Sequence, residues 1–135
     1  MIEKNNFSKV VLDTDFLVAL FIGDQSTHKK AKEIFEIIKS KDLFILDLVR
    51  YELATVLSRK FSHHLAKDIL TKLNNLPLCF TSIKEWEKEI WESLFSYQRK
   101  NISFIDCANL EVAKNLNAKI ASFDAFYPRD VLISF

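Results

Sequence analysis

The sequence predicts an α/β fold, a three-layer α/β/α sandwich around a mainly parallel sheet, in one domain. Three observations lead there. Short β-branched, apolar runs alternate along the whole chain with longer segments of helical periodicity. The apolar runs lack the polar alternation of a half-solvated strand, so their sheet is covered on both faces. The length, 135 residues, suits a single domain, and the 49% hydrophobic content with twelve Phe supplies one dense core.

Taken in order, Lys9 to Leu12 reads as a buried strand ending at Asp13. Thr14 to Leu20 reads as a short helix closed near Gly23. Ser26 is placed as N-cap of a second helix running to about Ser40, with Ala31, Ile34, Phe35 and Ile38 at helical spacing. Leu43 to Leu46 is a second strand, and a helix from about Leu48 to Lys60 follows it. Ser62 caps a helix to about Asn74, and Pro77 to Thr81 is a third strand. A long helix is expected over Ile83 to Lys100, carrying Trp86, Ile90, Leu94 and Tyr97 on one face. Ser103 caps another to about Leu116. Lys119 to Ser122 is a strand, and Val131 to Phe135 is expected as the last. No linker, repeat or low-complexity segment interrupts the pattern.

Composition limits the function classes. The apolar run Phe16 to Ile22 is too short to span a bilayer, and the N-terminus shows no signal-peptide core. Cys79 and Cys107 lie far apart without metal-ligand spacing, so reduced thiols and a cytoplasmic location are expected. A single Gly excludes Gly-rich phosphate loops. The formal charge of +1 gives no bulk attraction for a polyanion, which would have to be held by local patches or a bound cation.

Carboxylates fall where an open α/β sheet binds ligands, beyond the carboxyl ends of its strands. Asp13 ends the first strand and Asp124 lies just past the Lys119 to Ser122 strand; each could equally cap a following helix. Glu52 shares a helix face with Leu48, Val49 and Val56, so it lies on an apolar stripe. There it needs a cation, hydrogen-bond donors or a buried ion pair. Asp106 falls in the first turn of the Ser103 helix, where a favourable dipole contact would also account for it. Carboxylates about 4 Å apart repel by roughly 4 kcal/mol per pair at an effective dielectric of about 20. Convergence of the four would therefore call for a divalent cation. An all-oxygen set suits Mg²⁺ or Mn²⁺ rather than zinc.

The ordered motifs resemble a PIN domain, especially the VapC-type toxins of prokaryotic toxin–antitoxin pairs. Val10 to Leu20, with Asp13, resembles the family's opening strand, acid and apolar helix. Val49 to Leu53, with Glu52, resembles its second acidic motif. Ser103 to Leu110, with Asp106, resembles its third. Ile120 to Phe126 resembles its last, in which Ser122 precedes Asp124 by two residues. The resemblance implies a Mg²⁺- or Mn²⁺-dependent endoribonuclease that cleaves RNA, with Asp13, Glu52, Asp106 and Asp124 as catalytic metal ligands. It also implies a cognate antitoxin and a homodimer. Asp15 stands where the family usually has Asn or Ser, and Thr14, Asp15 and Ser122 become candidate supporting groups behind the ligands.

The Asp13-Thr14-Asp15 run also resembles the nucleophile motif of haloacid-dehalogenase-like phosphatases. That family's Gly-rich turns and late Gly-Asp motif are missing, however, and Glu52 would have no task. A non-catalytic PIN-like module binding RNA or protein is a further alternative. His28, His63 and His64 read as surface residues, and Cys107 as core. Lys29, Lys30, Lys32, Arg59, Lys60, Arg99 and Lys100 read as solvated charges, some of which could rim the acids and bind phosphates.

Overall fold

The computed structural model describes residues 7–23 and 26–133. Strand β1 (Lys9–Leu12) runs into α1 (Thr14–Phe21), and α2 (His28–Ile38) leads on to β2 (Asp42–Leu46). Helices α3 (Asp47–Lys60) and α4 (His63–Asn74) carry the chain to β3 (Leu78–Thr81). A 3-10 turn (Lys84–Trp86), α5 (Glu87–Ser96) and α6 (Phe104–Leu116) precede β4 (Lys119–Ala121).

All strand pairings are parallel, and the spatial order is β3-β2-β1-β4. Val11 sits opposite Phe44 on one side and Ile120 on the other. The sheet grows from β1 to β2 and β3, then resumes on the opposite side of β1 with β4. Such a topological switch opens a crevice beyond the carboxyl ends of the two strands that flank it. In this chain those ends are Leu12 and Ala121, each followed within three residues by an aspartate.

Period-two alternation along β1 explains why that strand is apolar throughout. Val10 and Leu12 join a core cluster with Phe16, Leu53 and Leu57. Val11, between them, joins Leu110, Ala113, Ile120 and Tyr127 on the other face. In α3, Val49, Leu53 and Leu57 recur every fourth residue and are fully buried. Each such side chain contributes roughly 1.5–3 kcal/mol from burial. Ser62 caps α4, its hydroxyl accepting from the Leu65 N–H at 3.0 Å. Asn117 ends α6 in the left-handed region (φ 55°), a conformation Asn tolerates.

Three expectations fail in detail. The helix expected over Ile83 to Lys100 is shorter. It begins as a 3-10 turn after Ser82, whose hydroxyl accepts from Lys84 N–H, and α-helix holds only over Glu87–Ser96. Tyr97 is extended (ψ 141°), and the Ser96 hydroxyl donates to Ser93 O at 2.6 Å, a local bond that closes the last turn. Of the stripe named from the sequence, Ile90 is buried, Trp86 and Leu94 are half-buried, and Tyr97 is exposed. Second, Thr27 rather than Ser26 is the N-cap of α2, with no side-chain bond to the helix, and α2 ends at Ile38. Third, the described part of Val131 to Phe135 forms only a parallel bridge, Leu132 to Ile120, anchored by Ile120 N–H to Val131 O (2.7 Å) and Ile133 N–H to Ile120 O (3.0 Å). Ser134 and Phe135 lie outside the described residues.

Candidate active site

The switch point holds a cleft of about 400 Å³ lined by Asp13, Glu52, Asp106 and Asp124, together with Thr14 and Asp15. The four acids named from the sequence therefore line one cavity, although two helices and two connections supply them.

Asp13 follows β1 and is only 5% exposed. Its backbone N–H extends the β1–β4 pairing by donating to Ala121 O at 3.1 Å. Its side chain is both the N-cap of α1 and part of the cleft wall. Oδ1 accepts from the Thr14 N–H (2.8 Å) and the Asn109 side-chain amide (3.0 Å), and Oδ2 accepts from the Ser122 hydroxyl (2.8 Å). Burial and then the charge of Asp15 push its carboxyl up to about 7, against the bonds from Ser122 and Thr14 that favour ionisation.

Glu52 lies on the α3 face next to the buried Val49 and Leu53, and it is half-buried. It makes no ion pair among the described residues; its Oε1 accepts from the hydroxyl of the buried Thr14 instead. Asp106 closes a capping box at the start of α6: its N–H donates to Ser103 Oγ (3.0 Å), and its Oδ2 accepts from Ser103 N–H (3.1 Å). Its Oδ1 accepts no hydrogen bond from the described residues. Burial raises its carboxyl pKa, partly offset by the Ser103 N–H, and the charge of Asp124 raises it further. Asp124 Oδ1 accepts from Phe126 N–H (2.9 Å), an Asx turn that fixes the loop after β4. Capping roles and a place in the cleft are thus compatible in Asp13, Asp106 and Asp124, because a carboxylate has more lone pairs than a cap uses.

Asp15 and Ser122 act behind these groups. Asp15 accepts from Phe123 N–H (3.2 Å) and lies 3.2 Å from the Ser122 hydroxyl. Ser122 has one proton to give, and its shorter contact is to Asp13; its oxygen accepts from Asp124 N–H at 3.0 Å. One hydroxyl therefore ties Asp13 to the backbone of Asp124, with Asp15 beside it. Burial raises the Asp15 pKa, opposed by the bonds from Phe123 and Ser122.

Two polar residues at the site escaped sequence reasoning. Asn109 is fully buried, and its amide also donates to the Tyr127 hydroxyl at 3.2 Å. Its own Oδ1 is buried without a partner among the described residues. Tyr127 is 2% exposed, and burial followed by the charge of Asp13 holds its phenol protonated. The available signal was Asn109 itself. An Asn is a poor helix-interior residue, and this one stands one turn from Asp106 among Cys107, Ala108 and Leu110. Nothing in the local pattern marks Tyr127.

No three His, Cys, Asp or Glu side chains among the described residues already form a closed ligand set. The acids line an open cleft, with no His or Cys in its wall. That donor chemistry fits a hard cation of the Mg²⁺ type, which keeps several waters and takes one or two carboxylates directly. It does not fit zinc. Among the described residues no helix is long and apolar enough to cross a membrane.

A search of curated protein sequences finds no match. Among solved structures, the chain is similar to the VapC20 toxin of Mycobacterium tuberculosis, described as cleaving the sarcin–ricin loop. The TM-score is 0.76 at 22% identity, over 87% of this chain and 91% of that one. It is also similar to VapBC2 from Rickettsia felis bound to a promoter DNA fragment, with TM-score 0.63 and 16% identity, over 86% of this chain and 88% of that one. These likenesses establish a shared fold. The family model of the PIN domain matches residues 10–129, a span that contains every acid of the cleft, and the chain belongs to the PIN-domain family.

Proposed function

We propose that this single-domain protein is a Mg²⁺- or Mn²⁺-dependent endoribonuclease, the toxin of a toxin–antitoxin pair, with Asp13, Glu52, Asp106 and Asp124 as its metal ligands. The observation that carries the reading is the gathering of these four acids, with Asp15, around one cleft at the sheet's switch point.

Without a cation this cleft repels a phosphodiester, since each carboxylate–phosphate pair at about 4 Å costs roughly 4 kcal/mol at an effective dielectric of about 20. A bound divalent ion supplies an activated water and stabilises charge on the phosphate. The protein's contribution is positional. Thr14 and Asn109 fix Asp13 by Oδ1, Ser122 fixes it by Oδ2, and the capping box fixes Asp106. Burial and the charge of Asp15 raise the Asp13 carboxyl to about 7, so a bound cation would favour its ionised form. The phosphatase alternative needs Asp15 as a proton donor, yet its carboxylate already accepts from Phe123 N–H.

RNA as substrate, an antitoxin as partner and a cytoplasmic location follow from the family resemblance. The two similar structures, a toxin and a toxin–antitoxin assembly, support it. A homodimer is part of the same reading, and the exposed aromatic rings of Trp91 and Phe95, stacked 5.6 Å apart, supply apolar surface for it.

The test is cleavage of assorted RNAs with and without Mg²⁺. Wild type should cut and excess chelator should stop it. Asp13→Asn and Asp106→Asn should fold and lose activity. Full activity in both folded variants would remove the site assignment, and cleavage in chelator would remove the metal.

A further inference from the structure

The cleft has two chemically different ends. Asp13, Asp15, Glu52, Asp106 and Asp124 line one. The rest of the wall includes Val18 and Ala19 of α1, Thr27 at the start of α2, and Val56 and Lys60 of α3. Glu52, Val56 and Lys60 follow one another at four-residue intervals, so they share one face of α3. At 1.5 Å per residue, Lys60 stands about 12 Å along the helix axis from Glu52. That rise exceeds the Debye length of about 8 Å at physiological salt, so solvent screening weakens the attraction between Glu52 and Lys60. Lys60 is the only basic residue in the described wall of the cleft, and it makes no ion pair among the described residues. A cation in the last helical turn complements the α3 dipole, but Arg59 already supplies one there.

We propose that Lys60 is a phosphate-binding subsite for single-stranded RNA, holding a backbone phosphate at least two positions away from the one brought to the acids. This rests on the nuclease reading above. Successive phosphates of one strand lie about 3.4 Å apart along a duplex axis and further apart when the strand is extended, so about 12 Å of helix face spans more than one phosphate. The uncharged part of the wall, Val18, Ala19 and Val56 with the hydroxyl-bearing Thr27, suits a ribose or base face rather than another charge. One strand lying along α3 would place its reacting phosphate at the metal end and its flanking negative charge on Lys60. Among the described residues that line the cleft, Lys60 alone carries a positive charge toward the flanking chain.

The experiment is steady-state cleavage of a labelled single-stranded oligoribonucleotide in Mg²⁺, at several salt concentrations. It compares full-length wild type, Lys60→Gln and Lys60→Arg, with Lys88→Gln as a control on exposed α5. Lys60→Gln should raise KM several-fold, leave kcat within about twofold, and flatten the log KM against log salt slope by about 0.7. Lys60→Arg should restore KM and slope, and Lys88→Gln should change neither. A folded Lys60→Gln with wild-type KM and slope would overturn the subsite while leaving the nuclease reading intact. So would a kcat defect that Lys60→Arg does not rescue. A wild type that neither binds nor cuts RNA in Mg²⁺ would overturn both.

Discussion

Replacing Asp13 by Asn should stabilise the metal-free protein, and increasingly so as pH rises. Asp13 has an ordinary carboxyl pKa of 3.8, and in the fold burial and Asp15 push it up to about 7. A carboxyl whose folded pKa is raised lends its full stability below the unfolded value. It loses that stability as pH climbs through the folded one. Here the window runs from about pH 4 to pH 7. A rise from 3.8 to about 7, at about 1.36 kcal/mol per pH unit, amounts to about 4 kcal/mol lost by pH 8. Asparagine removes that loss and keeps the local bonds. Its Oδ1 can accept from Thr14 N–H and the Asn109 amide, and its Nδ2 can donate to Ser122 Oγ. The Ser122 proton is then released to Asp15, 3.2 Å away. For a chain of this size about 4 kcal/mol corresponds to a Tm difference of roughly 14 °C. Thermal melts in chelator should show Asp13→Asn above wild type by that amount at pH 8, and by only a few degrees at pH 5. Mg²⁺ should then raise the wild-type Tm and narrow the gap, by ordinary binding linkage. A variant that melts below wild type at pH 8, or a gap that does not widen between pH 5 and pH 8, would refute the electrostatic account of the cleft.

Asp15→Asn should keep RNA cleavage within a few-fold of wild type, because a carboxamide oxygen still accepts from Phe123 N–H; a cleavage assay on the folded variant checks it. Asn109→Ala should cost about 1–3 kcal/mol in denaturant unfolding, since it strips a donor from buried Asp13 and from the Tyr127 hydroxyl. It should also raise the Mg²⁺ concentration needed for half-maximal cleavage, because Asp13 loses one of the bonds that aim it; an unchanged metal requirement would confine Asn109 to a packing role.

How much of this was legible in sequence depends on the range of the signal. The β1 run, the α3 stripe of Val49, Leu53 and Leu57, and the Ser62 and Ser103 caps appear where local pattern puts them. Each is decided within one or two turns of chain. The failures are also local in scale but tertiary in cause. Residues 97–100 have helical periodicity on paper, yet Tyr97 turns outward and packs its ring on Phe126, 5.5 Å away and far along the chain. The segment from Val131 could be a strand by composition, but the described portion pairs with Ile120 at a single bridge.

The cleft divides in the same way. The sequence by itself determined the four acids, because each sits in a short motif at a strand end, on a helix stripe or in a capped turn. Only the tertiary structure decided that they share one cavity, since parallel pairing of β1 with β4 brings Asp13 beside Ser122 across 109 positions of chain. It alone revealed Asn109 and Tyr127 as the buried support of Asp13, and singled out Lys60 from seven similar surface charges. The physical reason is that hydrophobic period and capping act over a few residues and leave a trace in sequence. A hydrogen bond between distant side chains, or the distance of a lysine from an acid cluster, exists only once the sheet order is set.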